Sequence, residues 1–186
     1  MIGPSTLPGG AVLRLLTLDD APALHAAYLR NRDHLRPFEP VRPDSFWTLA
    51  GQRTRLANAV ERSRSGAALS CAIFDATRVL GTMTLNTIVR GPFCSASLGY
   101  WTDQTETGKG LTTAAVAAML RIADEQLGLH RIDASTVISN LASQRVLVKN
   151  GFERYGTATN YLHIDGRWSD SHLYQRILND RPPPLM

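Results

Sequence analysis

The sequence predicts a mixed α/β layer, with helices laid on a mostly antiparallel sheet, and three observations predict it. Residues 68–101 hold three successive β-like runs separated by short turns, the pattern of an antiparallel meander. The run Ser97–Trp101 is then followed by a Gly-rich turn, an Ala-rich helical run to about Leu127, and a new β-like run, Arg131–Ile138. Strand, helix and strand in that order form a right-handed crossover between parallel strands. Last, Phe152–Ile164 and Arg167–Leu178 flank Asp165-Gly166, a two-residue link that favours a hairpin.

Val12–Leu16 reads as the first strand. Asp19-Asp20-Ala21-Pro22 starts a helix, with an acidic cap and Pro in the first turn. Leu24, Ala27, Tyr28 and Leu35 then fall at helical spacing. Arg36 to Pro43 carries three prolines and is expected to be non-helical. Asp44 or Ser45 is expected to cap a second helix running to about Arg64. The β-like runs Ala68–Phe74 and Val79–Ile88 meet at a turn near Asp75-Ala76-Thr77, and Arg90-Gly91-Pro92 leads into Cys94–Trp101. After the crossover, Ser139-Asn140 starts a short helix that Gly151 can stop in a left-handed conformation. Residues 1–10 are rich in Gly and Pro, and 179–186 hold Pro182, Pro183 and Pro184; both ends are expected to be flexible. No repeat or linker divides the chain, so 1–186 reads as one domain.

Composition narrows the class. The hydrophobic fraction of 44% suits a globular core. No apolar run approaches the roughly 20 residues needed to span a bilayer. The first residues have neither a basic start nor an apolar signal core, so a cytoplasmic location is expected. Net charge is +4, but the arginines are scattered rather than gathered with aromatics, which argues against direct nucleic-acid binding. Modest attraction to an acidic ribonucleoprotein surface is compatible with that charge. Cys71 and Cys94 lie in apolar β-like runs and make no close-spaced ligand motif, so they read as buried reduced thiols. No metal site is expected.

The stretch Thr107-Gly108-Lys109-Gly110-Leu111-Thr112 joins the strand to the crossover helix. The first N–H groups of a helix lack partners and carry partial positive charge, so an anion is held there. Gly108 and Gly110 let the main chain approach a ligand, and Lys109 adds a full charge. An ordinary Gly turn is the alternative reading of this stretch alone. The nucleotide P-loop fits poorly, because Asp103 stands where its first Gly belongs and Gly110 where its Ser/Thr belongs. The dinucleotide fingerprint fails at Thr113.

The spacing resembles the coenzyme loop of the GNAT N-acetyltransferases, Gln/Arg-x-x-Gly-x-Gly/Ala, with Thr107 for Gln/Arg, Gly110 matching and Thr112 for the last Gly/Ala. Asn140, Ser143 and Gly151-Phe152 resemble that family's second conserved segment. Tyr161 to Asp170 is similar to the C-terminal hairpin of the ribosomal-protein-alanine (RimJ/RimL) branch. Leu35 to Arg42 is similar to its N-terminal loop, and Val89-Arg90-Gly91 with Leu98-Gly99-Tyr100 agrees with it. The resemblance covers roughly residues 12–178.

The resemblance implies the GNAT fold, in which two parallel central strands, here near Leu98–Thr102 and Arg131–Ile138, splay apart at one end. It implies acetyl-CoA as donor. The pantetheine arm would pair with the backbone of Leu98, Gly99, Tyr100, Trp101 and Thr102. The pyrophosphate would rest on the amides of Gly108, Lys109, Gly110, Leu111 and Thr112, just past Thr107. Asn140 and Arg145 would contact the coenzyme, and Ser143 would protonate the leaving thiolate. The acceptor would enter between Phe38-Glu39 and the Tyr161, His163 and Trp168 hairpin. Thr107 lacks the Gln/Arg side chain, so the loop leans on backbone amides and Lys109, and Thr112 narrows the turn. Some relatives carry an acidic residue before the hairpin Tyr; here it is Asn160.

The expected reaction is direct attack of a primary amine on the thioester, in a ternary complex. An α-amine with a pKa near 7.8 is about a tenth neutral at pH 7, at a cost of about 1 kcal/mol. A Lys amine near 10.4 is neutral about once in 2,500, a cost of about 4.6 kcal/mol. A site without a strong base therefore suits an N-terminal acceptor. Glu39, a carboxylate held between two prolines, is the first choice to accept the proton, with holding the acceptor's ammonium as the other role. The lead reading is acetylation of the N-terminal amine of a protein, ribosomal protein being the implied acceptor, by a monomer or homodimer. A small amine, another acyl-CoA donor, and a non-catalytic coenzyme-binding module of ribosome assembly are the alternatives.

Overall fold

The computed structural model describes residues 2–183. Their strands are β1 (Ser5–Thr6), β2 (Val12–Leu15), β3 (Leu69–Asp75), β4 (Arg78–Val89), β5 (Ser95–Thr102), β6 (Arg131–Val137), β7 (Glu153–Ile164) and β8 (Arg167–Ile177). They form one sheet in the order β1-β2-β3-β4-β5-β6-β8-β7. Every neighbouring pair is antiparallel except β5 and β6, which are parallel. The helices are α1 (Ala21–Arg30), α2 (Arg32–Leu35), α3 (Leu49–Arg64), α4 (Leu111–Arg121) and α5 (Leu141–Lys149).

The two faces of the sheet bury different side chains because successive strand residues point to opposite sides. Leu13, Ile73, Met83, Leu85, Leu98 and Ile132 pack against Val116 and Met119 of α4 and Leu147 of α5. Ala72, Phe74, Val79 and Trp101 pack against Leu24 and Tyr28 of α1 and Leu56 of α3. Trp101 Nε1 donates to Tyr28 Oη at 2.9 Å, so α1 is fastened to the end of β5. The crossover helix runs to its expected end, but through a π-helical turn at Ile122–Gln126.

Several local expectations are corrected. Within the N-terminal stretch expected to be flexible, Ser5–Thr6 pairs with Val12–Leu13 and Leu7 is buried, while Met1 lies outside the described residues. At the other end Asn179 donates to Asp124 at 2.8 Å and to the Leu129 carbonyl at 2.9 Å; residues 184–186 lie outside the described residues. Arg36–Phe38 forms one 3-10 turn, with Pro37 in its first turn, where a missing N–H costs nothing. Asp44–Trp47 is another 3-10 turn, and Thr48 rather than Asp44 or Ser45 caps α3 by accepting from Gly51 N at 3.0 Å. The expected hairpin turn at Asp165-Gly166 has positive φ at both residues (47° and 78°).

Candidate active site

β5 and β6 separate almost as soon as they meet. Their register holds only from Ser95↔Arg131 to Ser97↔Asp133. Beyond it, β5 continues to Thr102 bonded only to β4, and β6 continues to Val137 bonded only to β8. Leu98–Thr102 therefore offers a strand edge with no neighbouring strand across the gap, a row of unpaired N–H and C=O groups facing a wedge. The closed end is pinned: Ser95 Oγ donates to Asp133 Oδ2 at 3.1 Å across the parallel pair.

The Gly-rich loop sits at the open end. Residues 107–110 are exposed, and Gly108 and Gly110 have φ of 79° and 84°, the left-handed region where a side chain costs about 1–2 kcal/mol. Gly110 is the residue before α4, and space around both glycines is open. Thr112 lies in the first turn of α4, beside the end of β5. Its hydroxyl lies 2.8 Å from that of Thr102, so the side chain ties the start of α4 to the end of β5. Lys109 is exposed and 3.3 Å from Glu106 Oε1.

On the same side of the wedge, Tyr100 Oη lies 2.8 Å from Ser143 Oγ. Burial pushes the Tyr100 phenol up to about 12, with the Ser143 bond opposing part of that. Both hydroxyls are thus proton-bearing at neutral pH. Asn140 caps α5: its Oδ1 accepts from Ser143 N at 3.0 Å, which leaves its amide NH2 with no protein partner among the described residues. Arg145, one turn on, is exposed. Trp101 differs from its neighbours, because its side chain is buried on the opposite face and only its main chain reaches the wedge.

The loop after α2 bridges two parts of the molecule. Its root is at α1, beside the end of β5, and its far end meets the β7–β8 turn, where Asp165 N donates to the Glu39 carbonyl at 3.0 Å. Glu39 and the turn line a cavity of about 420 Å³ with Arg32, Arg36, Arg42 and Trp47. Glu39 is not a free carboxylate: Arg42 Nε and Nη2 both reach Oε2 at 3.4 Å. Phe38, Tyr161 and Trp168 are exposed, and Trp168 stacks edge-on with His163 at 5.4 Å. Asn160 has φ of 49°, and its N–H donates to Asp170 Oδ1 at 2.9 Å, so a neighbouring strand supplies a carboxylate at that bend.

One group that sequence reasoning passed over is Asp103, considered only as a mismatch to the P-loop. Its side chain is fully buried and ionised. Burial alone would raise its pKa, but hydrogen bonds from Asn31, Thr105 and Arg30 outweigh that and hold it well below the usual carboxylate range. Arg30 and Asn31 lie 73 and 72 residues upstream, and no spacing signals them. Among the described residues, no group of three His, Cys, Asp or Glu side chains converges as a metal site. No helix among them is long and apolar enough to cross a membrane.

Comparison with known proteins meets this geometry. The acetyltransferase (GNAT) domain family matches residues 11–153. The [ribosomal protein uS5]-alanine N-acetyltransferase of Escherichia coli (strain K12) is 37% identical over 174 residues, covering 92% of this chain and 90% of the relative. The crystal structure of ribosomal-protein-S5-alanine acetyltransferase from Vibrio fischeri superposes with a TM-score of 0.92 at 32% identity, over 96% of this chain and 98% of that one. Mycobacterium smegmatis RimJ in complex with CoA-disulfide gives a TM-score of 0.88 at 30% identity, over 94% and 86%. With its splayed strands, its exposed glycine loop and relatives of this similarity, the chain belongs to the GNAT N-acetyltransferase family and carries the GNAT fold, that of an acetyltransferase.

Proposed function

We propose that this acetyltransferase, acting as a single domain in the cytoplasm, moves an acetyl group from acetyl-CoA to the N-terminal α-amine of a protein, with a ribosomal protein as acceptor. The observation that carries the reading is the parallel pair that ends at Ser97 and Asp133 and leaves the Leu98–Thr102 edge free beside an exposed glycine loop. The coenzyme-bound RimJ relative supports the donor, and the names of two alanine-specific relatives support the acceptor.

In this reading Gly108–Thr112 holds the pyrophosphate on backbone N–H groups, with Lys109 and Arg145 adding charge. The pantetheine arm bonds the free edge of β5 and the Asn140 amide. A main-chain N–H of Leu98–Thr102 receives the oxyanion as the carbonyl becomes tetrahedral. The amine nitrogen forms the C–N bond, the C–S bond breaks, and Ser143 gives its proton to the thiolate while Tyr100 supplies one to Ser143. The amine's own proton leaves to water, and water returns a proton to Tyr100, so both hydroxyls end as they began. Glu39, paired with Arg42, favours the role of holding the acceptor's ammonium over that of a strong base; its Oε1 has no protein partner among the described residues. Alignment of amine and thioester supplies most of the rate.

Mass spectrometry of an Ala-starting peptide incubated with acetyl-CoA and the protein tests this. Acetyl on the α-amine is the expected product. Acetylation of free small amines but not of the peptide would assign the enzyme a small-molecule acceptor.

A further inference from the structure

The donor loop and the acceptor loop share one buried carboxylate. Asp103 directly follows β5 and begins the segment that leads to Gly108. On the donor side it accepts from Thr105 N at 2.9 Å and from Thr105 Oγ1 at 2.8 Å. On the acceptor side it accepts from Arg30 Nε at 2.7 Å and from Asn31 Nδ2 at 3.1 Å, at the end of α1 where the 31–42 segment departs. Arg78 Nη2 reaches it at 3.4 Å. Asn31, itself fully buried, closes the circuit by accepting from Gln104 N at 2.9 Å. Gln104, Thr105 and residues 107–110 are otherwise exposed, as are Arg32, Asp33 and Arg36–Phe38.

We propose that Asp103 is a positioning residue that couples the two substrate sites, so that donor and acceptor each strengthen binding of the other. The inference rests on the reading that coenzyme occupies Gly108–Thr112 and the acceptor lies under the 36–42 segment. The physical basis is ordering. A ligand on the glycine loop immobilises Thr105 and with it the carboxylate. The same carboxylate orients Arg30 and Asn31, the root of the other loop. The second ligand then meets a segment whose freedom has already been lost, which gives positive cooperativity without a change of shape. Because the Asp103 carboxylate and Asn31 are buried away from water and two of the bonds to Asp103 are to charged guanidinium groups, loosening on one side is transmitted rather than absorbed.

The test is the affinity of coenzyme A, measured by titration calorimetry with and without a saturating Ala-starting peptide. In the wild-type protein the peptide is expected to tighten coenzyme A binding about fivefold or more, and coenzyme A to tighten the peptide by the same factor. In Asp103→Asn that ratio is expected to fall to about one. Thr105→Val removes the hydroxyl's bond to Asp103, with its longer contacts to Glu106 and Arg78, keeps the Thr105 N–H bond to Asp103, and is expected to lower the ratio partway, which covers the case of an Asp103→Asn protein that does not fold. A wild-type ratio of one, or an unchanged ratio in a folded Asp103→Asn or Thr105→Val protein, overturns the coupling while leaving the acetylation reading intact. Absence of any coenzyme A binding by the wild-type protein overturns both.

Discussion

The hydroxyl of Tyr100, on β5, lies 2.8 Å from the hydroxyl of Ser143, on α5, across the mouth of the wedge. Two weak acids in contact, both proton-bearing at neutral pH, form a short relay toward whatever atom lies between the parted strands. If that atom is the departing sulfur, Ser143→Ala should lower kcat by about 100-fold. It should leave KM for acetyl-CoA within about twofold, the pattern of a group acting in the transition state. Tyr100→Phe should cost less, about tenfold. Steady-state kinetics on both variants checks this; equal, negligible effects would remove the relay.

The same pair predicts a pH profile. Burial keeps the Tyr100 phenol protonated until about pH 12, so it does not titrate in the working range. The rise of kcat/KM with pH should instead follow the acceptor's α-amine, near pH 7.8. Tyr100→Phe should lower the whole curve without moving that limb. A limb that shifts with this variant would show that the phenol, and not the amine, was being titrated.

Gly110 stands in the left-handed region with φ of 84° in an exposed loop. Gly110→Ala places about 1–2 kcal/mol of strain on that conformation. The free loop can relax away from it, so the melting temperature should change little. The coenzyme requires the strained shape, and its Kd should rise about tenfold. Calorimetry beside a thermal melt separates the two; a lower Tm with unchanged Kd would mean that the loop shape serves the fold alone.

Asp103 predicts how stability responds to acid. Its folded pKa is depressed below its unfolded one, so the contribution is complete above the unfolded value, about 3.9, and is lost as pH falls toward the folded one. Between about pH 5 and about pH 2 the wild-type protein should therefore lose stability more steeply than Asp103→Asn. At neutral pH that variant should be weaker by about 3 kcal/mol, because it leaves Arg30 beside a neutral partner. Parallel acid titration curves for the two proteins would contradict this account.

Cys71 and Cys94 are both free and buried. Burial pushes the Cys71 thiol up to about 12, and Cys94 Sγ donates to the Gly128 carbonyl at 3.3 Å. Ellman's reagent should find neither thiol in the native protein and both after unfolding. Rapid native reaction would show that the β3 or β5 side of the sheet opens.

Much of this molecule is legible without coordinates. Alternation and turn chemistry locate the meander at 69–102, the crossover helix and the Asp165-Gly166 hairpin, because those signals act within a few residues of one another. The glycine loop is legible for the same reason: positive φ and open backbone are properties of Gly108 and Gly110 themselves. What the string of residues does not disclose is anything closed through space. Nothing near Asp103 in sequence announces Arg30, Asn31 or Arg78, only the family resemblance and no local signal brings Glu39 to the hairpin, and the bulk of Thr112 suggests a narrowed turn without disclosing that its hydroxyl meets that of Thr102. Local backbone preference decided the elements and the anion-ready loop; burial and charge pairing between distant segments decided where the strands part, which carboxylate stays ionised, and which hydroxyls meet.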